Sequence, residues 1–142
     1  MTAEELWKKS GLNGEYEAWS FGDDELTDLV MSGKKTATAS AYDCYLAEGE
    51  DLPEAGDISI LLDNNDEAVC IIRTSKVCVI PFNEVNAEHA KKEGEGDCSL
   101  DYWRTVHKKF FREELAKIGK EFDEEMPVVY EEFEVIFKTV RG

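Results

Sequence analysis

The stretch "ISILLDNNDEAVCIIRTSKVCVI", Ile58 to Ile80, constrains the fold more than any other part of the chain. Two apolar runs flank Asn64-Asn65-Asp66, residue types that accept the backbone of a tight turn, so an antiparallel hairpin is expected. The second run, Ala68 to Ile80, is long for one flat strand. A bulge or bend is therefore predicted near Thr74-Ser75. Pro81 should end the run.

The segments around this hairpin carry their own punctuation. Thr2 and Glu5 match a capping box at the start of "TAEELWKKS", and Gly11 and Gly14 break that helix. "YEAWSFG" alternates Tyr16, Trp19 and Phe21 and reads as extended. Asp23 or Asp24 caps a helix with Leu26, Leu29 and Val30 at helical spacing, and Gly33 suits the left-handed position after it. "TATAS" alternates hydroxyl and methyl side chains with the period of a strand. "EGEDLPEAGD" reads as a loop. Gly94 stops the helix "NAEHAKKEG", and Ser99 caps the longest helix, Leu100 to Ile118, with Tyr102/Trp103, Val106, Phe110 and Leu115 as its apolar stripe. "VVYEEFEVIF" closes the chain as a strand.

Helices interleaved with hairpin-joined strands imply an α+β fold with a small curved sheet or barrel. The 142 residues are about one domain's worth, with 1–15 as an N-terminal helical extension and 16–138 as the barrel core with inserted helices. No apolar run approaches the roughly 20 residues that span a bilayer, and no secretory h-region opens the chain, so a cytoplasmic location and no membrane partner are expected. Cys44, Cys70, Cys78 and Cys98 show no zinc-type spacing and are expected as free thiols. His89, Asp97, Cys98 and His107 likewise lack metal-ligand spacing, so no metal and no cofactor are expected. Oligomeric state is not legible.

Net charge is −16, which disfavours a long polyanion as ligand. The charge is segregated. Asp43 to Glu67 holds nine acids and no Lys or Arg, whereas Arg104 to Lys120 holds six Lys/Arg against two Glu. A basic face on an acidic body is compatible with that pattern.

"SGKKTATAS", Ser32 to Ser40, gathers small hydroxyl side chains behind Gly33, Lys34 and Lys35. Small residues leave room for a ligand, and a partly desolvated Lys35 would act as a base toward the Thr38 hydroxyl. Glu93 ends a helix, where the macrodipole disfavours negative charge; its carboxyl is expected to be pushed up and to serve as proton donor. His89 lies four residues earlier on the same face. Solvated capping lysines and a surface glutamate are the plain alternative.

The stretches "YEAWSFGD…LTDLVMSGKKTATAS", "AGD", "HAKKEGEGDCSLDYWRTVHKKFF" and "FEVIF" together resemble the ASCH family, from about Tyr16 to Phe137. That resemblance implies a PUA-like small β-barrel of about five to six strands with flanking helices, and a cleft for RNA, a nucleoside or a modified base. Some family members are amidohydrolases that deacetylate N(4)-acetylcytidine with a lysine, a threonine and a glutamate. The resemblance places those roles on Lys35, Thr38 and Glu93. The chain departs from those amidohydrolases after Thr38, where it has Ala39-Ser40 in place of their x-Arg. Ribonuclease activity or RNA binding has also been proposed for related branches.

Around this motif, Trp19, Phe21 and Tyr42 either stack on a base or plug the barrel end. Gly33, Lys34, Ser40 and His89 complete the expected ligand contacts. His107, with Arg104 and Lys108, either binds phosphate at the cleft edge or is a satisfied buried polar group beside a core Trp103. The leading expectation is a nucleoside- or RNA-directed hydrolase. The rivals are an RNA-binding or RNA-cleaving module using Arg104 to Arg112, and a non-catalytic nucleotide-ligand sensor.

Overall fold

The hairpin forms as its sequence demands. In this computed structural model, which describes residues 1–139, β3 (Ile58–Leu62) pairs antiparallel with β4 (Ala68–Pro81). Asp63 Oδ1 tightens the turn by accepting from the backbone N–H groups of Asn65 and Glu67. The register of β4 shifts between Thr74 and Lys76, and again between Ile71 and Ile72, which bends the long strand.

β4 pairs along its length with β5 (Pro127–Lys138), and β5 pairs antiparallel with β2 (Ala37–Ala41). On the other side, β1 (Glu17–Ser20) runs parallel to β3. The strand order is β1-β3-β4-β5-β2. β1 and β2 are thus opposite edges, yet their side chains line one cleft. The sheet curls into a five-stranded half-barrel, an α+β fold of the PUA-like kind.

Five helices cover it: α1 (Ala3–Ser10), α2 (Asp24–Met31), α3 (Tyr42–Glu48), α4 (Ala87–Glu93) and α5 (Leu100–Lys117). α1 starts at the Thr2–Glu5 capping box and buries Leu6 against Ile60, Ala68 and Ile71. α2 starts at Asp23, which accepts from the Glu25 N–H, and α5 at Ser99, which accepts from the Tyr102 N–H. α5 packs Trp103, Phe111 and Leu115 with Phe82, Val85, Met126 and Val128 into the largest core cluster. No helix among the described residues is long and apolar enough to cross a membrane, and no disulfide joins the cysteines there.

One reading needs correction. The buried stripe of α5 is Trp103, His107, Phe111 and Leu115, while Tyr102, Val106 and Phe110 are 39%, 36% and 41% exposed. Paired aromatics at 102–103 and 110–111 left two apolar stripes, and packing against Phe82 selects the one that includes His107. α3 follows β2 directly, in a stretch whose sequence carries no helix signature. Its N-cap is Ala41, which makes no side-chain cap bond, so the usual signature is missing.

Candidate functional site

The close approach of two chain segments creates the polar centre of the molecule. The Thr36 N–H donates to the Lys92 carbonyl at 2.7 Å, and the Thr36 hydroxyl donates to the same oxygen at 3.2 Å. α4 then ends at Gly94 with φ +68, and a Cβ there would lie 2.3 Å from the Lys34 carbonyl oxygen. Only glycine permits this contact. It sets the end of α4 against the chain entering β2, so Lys35 and Glu93 point at one another.

Lys35 Nζ lies 3.4 Å from Glu93 Oε1 and 3.0 Å from Glu95 Oε2, and Lys35 is only 2% exposed. The Trp103 indole N–H donates to Glu93 Oε2. His107 stacks on Trp103 at 4.2 Å and donates from Nδ1 to the Trp103 carbonyl at 2.9 Å. Its Nε2 lies 3.5 Å from Glu93 Oε1. Burial pushes the Glu93 carboxyl up. The hydrogen bond and charge of His107, the Lys35 ammonium and the indole outweigh it and hold the carboxyl below its ordinary value. This corrects the expectation of a raised carboxyl: at rest Glu93 is the anionic half of an ion pair.

Ligand atoms of Glu93, Glu95 and His107 lie within 4.8 Å of one another, a spacing suited to a metal ion. The Lys35 ammonium is bonded to both of those carboxylates and supplies the positive charge they need. Lys35 Nζ also sits 5.6 Å from the centre of the Phe21 ring.

Phe21 borders the other half of the site, a cleft of about 1270 Å³ between the two sheet edges. Thr38 and Ser40 line it on β2, their side chains half-buried, while Ala37, Ala39 and Ala41 point into the core. Thr36 precedes the strand and is tied to α4. Trp19 and Phe21, edge to face at 4.9 Å, form the wall on the β1 side and also pack on the Val30–Leu61–Phe133 core. Glu15 and Glu17 rim that side, and Glu50, Asp51, Glu54 and Asp57 rim the loop after α3. No Lys or Arg lines the cleft among the described residues.

Several expected contacts lie elsewhere. Lys35 and Glu93 adjoin the cleft behind Phe21 without lining it. Gly33 takes φ +82 in an exposed turn, and Lys34 is exposed beside it. His89 caps α4, its Nδ1 accepting from the Asn86 N–H at 3.1 Å, and its ring packs on Tyr130. Arg104 is exposed on α5, and His107 is buried with Trp103, the second of its two readings. Tyr42 starts α3 outside the cleft. Tyr45, one turn later, lines it and bonds Ser40 at 2.9 Å. Sequence reasoning also missed Glu95, Thr74 and Glu131. Thr38 and Glu131 are directly opposed across β2 and β5, a pairing invisible without the register.

The ASCH domain family matches residues 17–137, which include both halves of this site. The chain belongs to the ASCH domain family. Its fold is similar to that of an ASCH domain from Lactobacillus crispatus JV V101, at 28% identity and TM-score 0.89 over 94% of this chain and 93% of that one. A protein from Enterococcus faecalis V583 is 39% identical, with TM-score 0.85 over 95% of this chain and 85% of that one. ASCH from Zymomonas mobilis, at 11% identity and TM-score 0.53 over 87% and 73% of the two chains, shares the fold. No curated protein sequence matches the chain.

Proposed function

We propose that this ASCH domain hydrolyses a small nucleoside-type amide, with an acylated cytidine as the substrate class. One observation carries the reading. Among the described residues, the cleft that holds the Thr38 hydroxyl has aromatic walls and a carboxylate rim without a Lys or Arg. Such a rim repels a phosphate backbone and tolerates a neutral nucleoside.

The chemistry is a two-step acyl transfer. Thr38 Oγ1 attacks the amide carbonyl carbon, the C–N bond breaks, the amine leaves with a proton, and water then frees the acyl group from Thr38. One proton has to pass between Lys35 and Glu93, whose Nζ and Oε1 lie 3.4 Å apart. With that proton on Glu93, Lys35 is a neutral base for Thr38 and Glu93 is the acid for the departing amine. For the pair to reach the nucleophile, the Phe21 ring, which borders both the cleft and Lys35, has to swing aside.

The basic stripe of α5 supports the rival RNA module poorly. Lys108 and Arg112 lie over the Phe122 ring, at 5.7 and 5.8 Å, and neither lines the cleft. The test is to titrate N(4)-acetylcytidine and a single-stranded RNA at two salt concentrations, and to assay deacetylation by wild type and Thr38→Val. Nucleoside binding should barely respond to salt, and turnover should vanish in Thr38→Val with the melting temperature kept. Tight RNA binding with a log–log salt slope of several units, at about −0.7 per phosphate, would overturn the reading if neutralising Arg104, Lys108 and Lys109 abolished it.

A further inference from the structure

Glu131 of β5 stands directly across from Thr38 of β2 in the antiparallel ladder, so both side chains leave the same face of the sheet and line the cleft. Its Oε2 is held by the Thr74 hydroxyl at 2.5 Å. That bond pins the carboxyl and engages one oxygen only. Among the described residues, the titratable groups facing it are Glu17 on β1, Asp57 before β3 and Tyr45 on α3. None brings a positive charge. Burial, then the charges of Asp57 and Glu17, push the Glu131 carboxyl up against the opposing pull of Thr74.

A ligand reaching Thr38 must therefore meet a pinned carboxyl in a field that favours an added proton. We propose that Glu131 selects the base: it pairs with an edge that sets a basic ring nitrogen beside an N–H, as cytosine does. The inference rests on the nucleoside reading above. The carboxyl and the ring nitrogen share one proton, and the exocyclic N–H donates to the other carboxyl oxygen position. A uracil-type edge carries an N–H at that ring nitrogen and a carbonyl in place of the exocyclic amine. Facing an ionised Glu131, its ring N–H is accepted by one carboxylate oxygen, but its carbonyl oxygen meets the other with no proton between them. A carbonyl oxygen is also a far weaker base than the cytosine ring nitrogen with which to share one. Cytosine-type binding should then take up a proton at neutral pH, while uracil-type binding is weak.

Cytidine and uridine are the probes, titrated into wild type and Glu131→Gln between pH 6 and 8. Wild type should prefer cytidine by at least about tenfold and lose cytidine affinity as pH rises, by up to about tenfold per unit where one proton is taken up on binding. Glu131→Gln keeps a donor and an acceptor but has no proton to share. It should flatten the pH profile and narrow the preference. A purely structural Glu131 would leave both unchanged. Cytidine binding in wild type without pH dependence, unchanged preference in Glu131→Gln, or no binding of either nucleoside would overturn the proposal. Deacetylation of N(4)-acetylcytidine that ignores Glu131→Gln sinks this inference and spares the hydrolase. Cytidine binding with the Glu131 pattern but no deacetylation sinks the hydrolase and spares this inference.

Discussion

Lys35 and Glu93 are 58 positions apart in the chain, yet Nζ and Oε1 are 3.4 Å apart and each side chain is only 1% exposed. A buried pair of this kind gains little over an apolar pair of the same volume, but removing one partner leaves the other charge stranded. The pair is therefore better read as a device that fixes the Gly94 corner than as a source of net stability.

Lys35→Met should cost about 3 kcal/mol in urea unfolding, the low end for a broken buried pair because Glu93 keeps Trp103 and His107. The sequence left a solvated capping lysine as the plain alternative; the burial of Lys35 removes that alternative. Combining Lys35→Met with Glu93→Gln should recover part of the loss. Stability of Lys35→Met equal to wild type would show that the pair is not held together in solution.

Gly94 and Gly11 both sit at helix ends with positive φ, +68 and +74, but only Gly94 faces a backbone within 4 Å. Gly11→Ala should cost about 1 kcal/mol, the strain of a side chain in the left-handed region. Gly94→Ala adds a collision with the Lys34 carbonyl and should cost at least twice as much. It should also disturb the Lys35–Glu93 contact, which a shifted Trp103 fluorescence would report. Equal losses for the two variants would mean that the end of α4 can retreat freely.

Local chemistry made most of the frame legible. The Asn64-Asn65-Asp66 turn, the Thr2, Asp23 and Ser99 caps, and the overlong β4 all declare themselves through their own residues. Local chemistry singled out Lys35 and Glu93 and the family motif joined their roles, but the contact itself spans 58 residues and depends on a glycine approach. Tyr45 and Glu131 were not legible. α3 lacks a side-chain cap, and the partner of Thr38 depends on a β2–β5 register that no short-range pattern encodes. His107 was ambiguous for a related reason: α5 carries two apolar stripes, and only tertiary packing chooses between them.

Acid titration should separate the two cleft-side carboxyls by sign. Glu93 is held below its ordinary value of 4.5, so it contributes stability that is present above that pH and lost as pH falls through its folded value. Glu131 is raised above 4.5, so its contribution is complete below that pH and is lost as pH rises through its folded value. Against wild type, Glu93→Gln should lose most at pH 7 and progressively less below pH 4.5. Glu131→Gln, which can still accept from Thr74, should match wild type near pH 4 and melt higher at pH 8. Melting curves across that range check both, and parallel pH profiles for the two variants would contradict the assignment.

Lys108 and Arg112 face the Phe122 ring from one helix turn, with the ammonium 5.7 Å and the guanidinium 5.8 Å from its centre. At a partly exposed site each such contact is worth about 0.5–1 kcal/mol, and two cations on one ring repel each other, so the pair should total less than twice that. Replacing both with alanine moves the net charge from −16 to −18. If the cleft is the ligand site, cytidine affinity and any deacetylation should stay at wild-type values, with a stability loss of about 1 kcal/mol. If α5 is the working surface, RNA affinity should fall and its salt slope should shrink by about 0.7 for each phosphate no longer neutralised. Measuring both ligands on the double variant therefore decides which face of the molecule meets the nucleoside or nucleic acid.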